Sequence, residues 1–238
     1  MIELLAALAQ ATTPVHAPLL NGALIHDDRA CYMISSTRDG ASTPVGLTWQ
    51  TIEHVDVGGR PALRVVVHQS VNGGAFDMTD AFTLDTAELK PIRLENDRKG
   101  ERHVTLDYAS DRVVGIRLEH GVSQPVDVAL PDAVSEGNLF GVTFAALPLA
   151  AGATFSIPFY QYDKGLGAFS VKVTGDEVVA TPQGPIEAWT LEVSTGPGPT
   201  TTYLIAKADH RELGYRSARG SQALGGDCSA LMEASSGG

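Results

Sequence analysis

The feature that most constrains this chain is the alternation of apolar and polar residues in short runs that end in turn-forming pairs. Between residues 45 and 57, Leu47 and Trp49 fall on one face of an extended strand, and Gly58 and Gly59 follow. Because successive side chains of a strand point to opposite faces, this pattern predicts half-buried strands, and paired glycines favour a tight hairpin. Similar runs recur about every 8–15 residues, which is typical of an antiparallel meander rather than of βαβ units.

One segment breaks this alternation. Within residues 138–147 the apolar side chains recur at steps of three and four, and Pro148 follows them. This spacing predicts one short helix packed on the sheet. The sequence therefore predicts a mostly β protein, an antiparallel meander of about 11–13 strands curled into a barrel or half-barrel with one or two short helices. A barrel this wide is hard to fill with its own side chains, so we expect a ligand cavity or a helix that plugs the opening.

The chain is predicted to hold a single domain, because no linker is long enough to divide it. Residues 1–20 are interpreted as a leader, as the remnant of a signal or as a short helix. Residues 21–220 are predicted to form one β-barrel-like domain. Residues 221–238 are small and polar, and they are predicted to form a flexible tail.

The start of the chain bears on its compartment. The first eleven residues form an apolar run that ends in Ala-Gln-Ala at residues 9–11, a pattern that precedes signal-peptide cleavage. Glu3, however, stands where signal peptides carry a basic residue, so a cleaved signal peptide and a short amphipathic helix both remain open. No other stretch approaches 18 consecutive apolar residues, and we expect no transmembrane span. We expect a periplasmic or secreted protein.

The net charge of −11 argues against two classes of partner. A general nucleic-acid-binding protein needs a basic face, and so does a protein that adheres to anionic lipid headgroups. We therefore expect no nucleic acid among the partners.

The two cysteines, Cys31 and Cys228, lie near opposite ends of the predicted domain, and their spacing matches no zinc site. In an oxidising compartment they could form one disulfide, and otherwise both would be unpaired small hydrophobic residues.

Catalytic signatures are weak. His103 and Asp107 lie four residues apart on one predicted strand, so they share a face and could act as a base with its orienting carboxylate. The same alternation is equally typical of the solvated face of a half-buried strand. His68 is a second candidate base. Neither a paired-histidine metal motif nor a Gly-x-Ser-x-Gly motif is present, so we expect neither a metal nor a cofactor.

A ligand pocket has better candidates. Asp80 falls on the face of its strand that carries Phe82, where a carboxylate must be paired, solvated in a cavity or displaced by a register shift. Tyr160 and Tyr162 share a face, and their apolar rings and polar hydroxyls suit a pocket mouth. A plain aromatic core is the alternative. The predicted ligand-binding residues are Trp49, Asp80, Phe140, Phe144, Tyr160, Tyr162 and Trp189.

Three segments carry a resemblance to a known family: residues 152–160, residues 169–189 with the run Val-Thr-Gly-Asp-Glu-Val-Val-Ala-Thr-Pro-Gln-Gly, and residues 202–213. They resemble an uncharacterised family of exported bacterial proteins, a domain of unknown function that is itself similar to the lipoprotein-carrier (LolA/LolB-like) superfamily. The resemblance implies a half-barrel wrapped over helices with an apolar concave face. Leu213 is followed by Gly214, where the family has a proline.

These observations favour an exported or periplasmic carrier for an apolar or amphipathic ligand, such as a lipid or a lipoprotein acyl chain. A hydrolase with a His/Asp site and a structural envelope protein without a ligand are the alternatives.

Overall fold

A computed structural model describes residues 18–235 of the chain. These residues form fifteen strands in one sheet, two short α-helices, α1 (Gly141–Ala145) and α2 (Ser229–Ser235), and a 3₁₀ turn at Gly22–Leu24. Most of the leader predicted at 1–20 lies outside the described residues. The strands are β1 (Asp28–Arg38), β2 (Ala41–Val57), β3 (Arg60–Val71), β4 (Phe76–Asp85), β5 (Pro91–Arg98), β6 (Glu101–Tyr108), β7 (Arg112–Glu119), β8 (Val122–Ala129), β9 (Ser135–Glu136), β10 (Thr154–Gln161), β11 (Gly165–Thr181), β12 (Gly184–Ser194), β13 (Thr201–Ala206), β14 (Glu212–Ser217) and β15 (Gly220–Leu224).

The sheet is a meander in two halves that meet at β1. Its order runs from β8 down to β1, then from β15 down to β9. All neighbouring strands are antiparallel except β9 and β10. The two edge strands, β8 and β9, are not hydrogen-bonded to each other, so the sheet is not closed. The predicted mostly β meander with short helices is confirmed, with fifteen strands rather than about 11–13.

The sheet curls around a single core. Phe82 and Leu94 of the first half and Phe169 and Leu191 of the second half belong to the same cluster of buried side chains. Because these strands are far apart in the order of the sheet, only a strongly curved sheet can bring them together. Residues 130–149, which we refer to as the plug segment, contribute α1 and several further apolar side chains to this core.

The helix predicted within 138–147 is present as α1, and all five of its residues are buried. Phe144 packs against Phe169 with ring centroids 5.3 Å apart and against Tyr203 at 4.9 Å. Aromatic pairs at such distances add to the stability gained from buried area. The chain therefore fills this part of its own interior.

The segment after residue 220, predicted as a flexible tail, contains a strand and a helix. Strand β15 pairs with β1 through contacts such as Tyr32 with Leu224. Just beyond it, Cys228 forms a disulfide with Cys31, and their Cα atoms are 5.8 Å apart. The last strand and α2 are thus joined to the first strand. No helix of residues 18–235 is long and apolar enough to cross a membrane.

Candidate functional site

Several polar side chains lie inside the curled sheet, among side chains that are mostly apolar. We refer to Asp80, Asn96, Tyr108, Glu136 and Asn138 as the interior polar cluster. Asp80 on β4, Asn96 on β5 and Glu136 on β9 are respectively 4%, 0% and 2% exposed. Burying such groups costs free energy unless hydrogen bonds replace those that water made. Each of these buried groups therefore needs hydrogen-bond partners inside the protein.

Hydrogen bonds satisfy this cluster only in part. Asn96 donates from Nδ2 to Asp80 Oδ1 at 2.7 Å, across directly paired positions of β4 and β5. Glu136 accepts from the backbone N–H of Asn138 at 2.6 Å, from Asn138 Nδ2 at 3.2 Å and from the Tyr108 hydroxyl at a long 3.4 Å. Asn96 Oδ1 is buried without a hydrogen-bond partner in the described residues.

Burial shifts the protonation of both carboxyls. The pKa of Glu136 is raised to about 8, mainly by desolvation and also by the charge of Asp80, against the hydrogen bonds from Asn138 and Tyr108. Desolvation also raises the pKa of Asp80 to about 6, although the hydrogen bond from Asn96 and the charge of Arg98 oppose it. At neutral pH the cluster therefore holds a mostly protonated Glu136, which can donate, and a mostly ionised Asp80, which accepts.

Side chains from the first half of the sheet contact Tyr162 in the second half. Tyr162, just after β10, accepts at its hydroxyl a hydrogen bond of 3.1 Å from Arg98 on β5. Its carbonyl oxygen accepts one of 2.7 Å from Arg117 on β7, and its ring lies edge-on to His103 with centroids 6.0 Å apart. We refer to this contact region as the mouth. It joins the halves without any ladder of backbone hydrogen bonds.

An apolar cleft of about 140 Å³ lies next to the interior polar cluster. Its lining includes Tyr108 at the end of β6, Lys90, and Leu130, Ala133 and Val134 of the plug segment. We refer to it as the Tyr108 cleft. Because the hydroxyl of Tyr108 reaches Glu136, this side chain connects the cleft with the polar interior.

Three of the predicted ligand-binding residues lie around the interior polar cluster. Asp80 belongs to it, Tyr160 packs edge-on against Tyr108 with centroids 6.4 Å apart, and Tyr162 forms the mouth. The Asp80 side chain is inside the core, and the register of β4 with β5 is regular at this position, with a shift only between Thr83 and Leu84.

The four other predicted residues lie elsewhere. Phe140 and Phe144 pack in the aromatic core. Trp189 packs at the edge of the core, with Lys207 Nζ 4.5 Å from the centroid of its ring. Trp49 is paired with Cys31 and lies on the face of β2 opposite Ile52, which belongs to the core. None of the predicted residues lines either of the two clefts described for residues 18–235.

Sequence reasoning missed the four other members of the cluster, and it missed Asn96 and Glu136 for different reasons. Asn96 shares the inward face of β5 with Leu94, so its position carried the same signal as that of Asp80: a polar residue on an apolar face. Glu136 lies in a short stretch of the plug segment without periodicity. No local pattern marks it as buried.

The proposed His/Asp pair does not form in this fold. Asp107 accepts a hydrogen bond of 2.6 Å from Arg93, and His103 faces Tyr162 instead. His68 does contact a carboxylate, with Nε2 3.2 Å from Asp77 Oδ1. Its Nδ1 has no hydrogen-bond partner in the described residues, so no hydroxyl or thiol is held there as a nucleophile.

The described residues also contain no group of three or more His, Cys, Asp or Glu side chains that could hold a metal ion.

This architecture defines a class: a mostly β, barrel-like domain whose single sheet stays open and wraps around a plug from its own chain. Residues 31–222 match the family described as "Protein of unknown function (DUF3108)", and the chain belongs to that family. Among the curated proteins none matches this sequence.

A solved structure supports the same fold. The chain is similar to the crystal structure of a beta-barrel-like protein of domain of unknown function DUF1849 from Brucella abortus, with a TM-score of 0.54. The similarity covers 88% of this chain and 98% of that one, at 9% sequence identity. At so low an identity the likeness concerns the fold and carries nothing about ligands.

Proposed function

We propose that this protein binds and carries a small amphipathic ligand, such as a lipid or a lipoprotein acyl chain, in the cell envelope. One observation carries the proposal: a partly unsatisfied polar cluster lies within an apolar, open-edged interior, beside an apolar cleft. Apolar walls with a few placed polar groups are the usual composition of a small-molecule site. The hydrocarbon part of a guest would occupy the Tyr108 cleft, and its polar part would meet Glu136 and Asp80.

The Tyr108 cleft is too small to hold a whole acyl chain. At about 140 Å³ it is smaller than the roughly 300–1,000 Å³ of typical ligand pockets, so it holds only part of an acyl chain. Loading must therefore displace some of the plug segment from the concave face. The open edges make this feasible, because side chains rather than a backbone ladder hold the mouth.

Location in the periplasm or outside the cell is part of the same proposal. The disulfide between Cys31 and Cys228 supports it, because such bonds persist in oxidising compartments. The resemblance to the lipoprotein-carrier superfamily supports it as well. Fractionation of cells that produce the full chain would place the protein in the periplasm or the medium, and recovery only from the cytoplasm would contradict export.

Binding can be tested with a fluorescent fatty acid. Purified full-length protein is titrated with cis-parinaric acid, whose fluorescence rises in an apolar environment. We expect saturable binding by the wild type and at least tenfold weaker binding by Ala133→Trp, whose indole would fill the Tyr108 cleft. Ala168→Trp, at an exposed position of β11, is the matched control and should bind as the wild type does.

Hydrogen exchange completes the test. The bound probe should speed amide exchange in the plug segment and leave β2 and β3 unchanged, because loading displaces only that segment. The proposal is overturned if the wild type shows no saturable signal, or if both tryptophan variants weaken binding equally.

A further inference from the structure

A second cleft lies at another place in the fold and contains none of the groups used above. Its volume is about 150 Å³, and it is formed where the start of β1, helix α1 and the turn before β14 meet. Ile25, Ile52 and Val142 supply apolar walls, and Glu212 lies among them. We refer to it as the Glu212 cleft.

The carboxyl of Glu212 has no hydrogen-bond donor within residues 18–235, although the residue is only 8% exposed. Its backbone carbonyl is satisfied by the Tyr32 hydroxyl at 3.2 Å, so only the side chain lacks a partner. Burial alone raises the pKa of this carboxyl to about 7. A buried carboxyl without a donor is costly and calls for a partner that the described chain does not supply.

A glycine leaves room for this carboxyl. A Cβ at Gly141, the first residue of α1, would lie 1.8 Å from Glu212 Oε2. Any other residue at this position would therefore displace the carboxyl. The carboxyl of Glu212 therefore lies against the backbone of Gly141, in space that a side chain there would fill.

The charges around the cleft favour a cation. Asp27, Asp28 and Asp209 join Glu212 in its lining. Asp27 already contacts His54, with Oδ1 2.6 Å from Nδ1. Asp209 lies near Arg211, so Asp28 is the aspartate of this lining that adds its negative charge to that of Glu212 without an ion pair within residues 18–235.

The basic groups of the lining are His26, His210 and Arg211. His210 Nδ1 lies 2.7 Å from the carbonyl oxygen of Ala145, and Arg211 Nε lies 3.9 Å from Asp209 Oδ2. Arg211 Nε is buried without a hydrogen-bond partner in the described residues. Burial is the only cause that shifts the pKa of Glu212, so none of these basic groups neutralises its carboxyl.

We propose that the Glu212 cleft binds a small organic cation, a primary ammonium group that carries one short apolar substituent. The ammonium donates to the Glu212 carboxyl, and the substituent packs against Ile25, Ile52 and Val142. A cavity of this size accommodates a group about as large as benzene, which sets the upper limit for the substituent. This site is independent of the proposed carrier function and lies apart from the Tyr108 cleft.

The wild-type protein alone can test this proposal. Full-length protein with ¹³C-labelled methyl groups is titrated with n-butylammonium chloride, and n-butanol and sodium butyrate serve as probes of equal length without the positive charge. We expect saturable shifts at the methyl groups of Ile25, Ile52 and Val142 with the ammonium only. Equal shifts with butanol, shifts confined to other regions, or no saturable shift would overturn the proposal.

Variants then assign the binding to Glu212. Glu212→Gln should weaken n-butylammonium binding at least tenfold, and Glu192→Gln, an exposed glutamate on β12, should leave it unchanged. Gly141→Ala should also weaken binding, because its methyl group displaces the carboxyl. Full affinity in a folded Glu212→Gln protein would refute the assignment. If that variant does not fold, the comparison of the three probes on the wild type decides.

Discussion

At the scale of single residues, this protein is distinguished by three carboxyl groups that its fold removes from water. Asp80, Glu136 and Glu212 are each less than one tenth exposed. Burial is the largest cause of the raised pKa in every case. Folding therefore favours the protonated form of all three, and the free energy of unfolding must depend on pH.

The sign of this dependence follows from the pKa values. The ordinary values are 3.8 for the aspartate and 4.5 for the glutamates, and the folded values are about 6 for Asp80, 7 for Glu212 and 8 for Glu136. The stability linked to these groups is present in full below about pH 4. It is lost as the pH rises through the folded values, because the folded protein must then bury ionised carboxylates.

We predict that the melting temperature falls between pH 5 and pH 8, and that Glu136→Gln removes much of this fall. The variant should be more stable than the wild type by roughly 2–4 kcal/mol at pH 8, because it buries no charge. Thermal unfolding followed by circular dichroism measures both effects. Asp127→Asn is the control, since Asp127 is exposed and pairs with Arg112 at 2.7 Å. A melting temperature that rises from pH 5 to pH 8 would contradict the prediction.

At the scale of elements, the junction between the first and last strands holds the two halves of the sheet together. Strand β1 pairs with β2 on one side and with β15 on the other. The disulfide fastens the segment after β15 back onto β1 across a sequence separation of 197 residues. A cross-link that closes so long a loop restricts the unfolded chain strongly.

We predict that the double variant Cys31→Ser/Cys228→Ser unfolds with a free energy about 2–5 kcal/mol lower than that of the wild type. Urea denaturation gives this value. Reduced wild-type protein should match the double variant, and reductant should have no effect on the variant itself. If the midpoint of wild-type unfolding is the same with and without reductant, the disulfide does not stabilise the fold.

At the scale of the whole molecule, the sheet curls without closing, and side chains at the mouth connect its two halves. Arg117 donates to the Tyr162 carbonyl oxygen across the mouth, and it also forms an ion pair with Glu119. Hydrogen bonds from a charged donor contribute about 1.5–3 kcal/mol, more than most surface ion pairs do. The attachment of β7 and β8 to the other half of the sheet therefore depends on a few side-chain contacts.

We predict that Arg117→Gln speeds amide exchange in β7 and β8 about tenfold or more while β2 and β3 keep their protection. Hydrogen–deuterium exchange read by mass spectrometry resolves these strands. Arg112→Gln on the same strand β7 is the control, because Arg112 pairs only with exposed Asp127. Equal acceleration by both variants would mean that the mouth contact contributes nothing specific.

Local chemistry was sufficient to predict most of the secondary structure. Alternation marked the strands, glycine pairs marked hairpins such as the one at Gly58 and Gly59, and three- and four-residue spacing marked α1. These signals work because each depends on residues that are neighbours in the chain. The same reasoning singled out Asp80, since a carboxylate on an apolar face is visible without coordinates.

Other features depend on residues far apart in the sequence. The alternation in residues 165–181 does not show that strand β11 shifts its register between Val173 and Gly175. The alternation of β2 does not show which face meets the core, and Trp49 lies on the other one. Only the pairing with neighbouring strands decides where the register shifts and which face of a strand meets the core.

The sequence by itself thus determined that this chain forms an antiparallel β meander with a short helix and one polar group turned inward. The tertiary structure alone decided which edges stay open, which carboxyls are buried and where the clefts lie. The physical reason is that burial and solvation of a side chain depend on everything packed around it. Glu136 and Glu212 owe their raised pKa values chiefly to burial, which folding produces by packing distant parts of the chain around them.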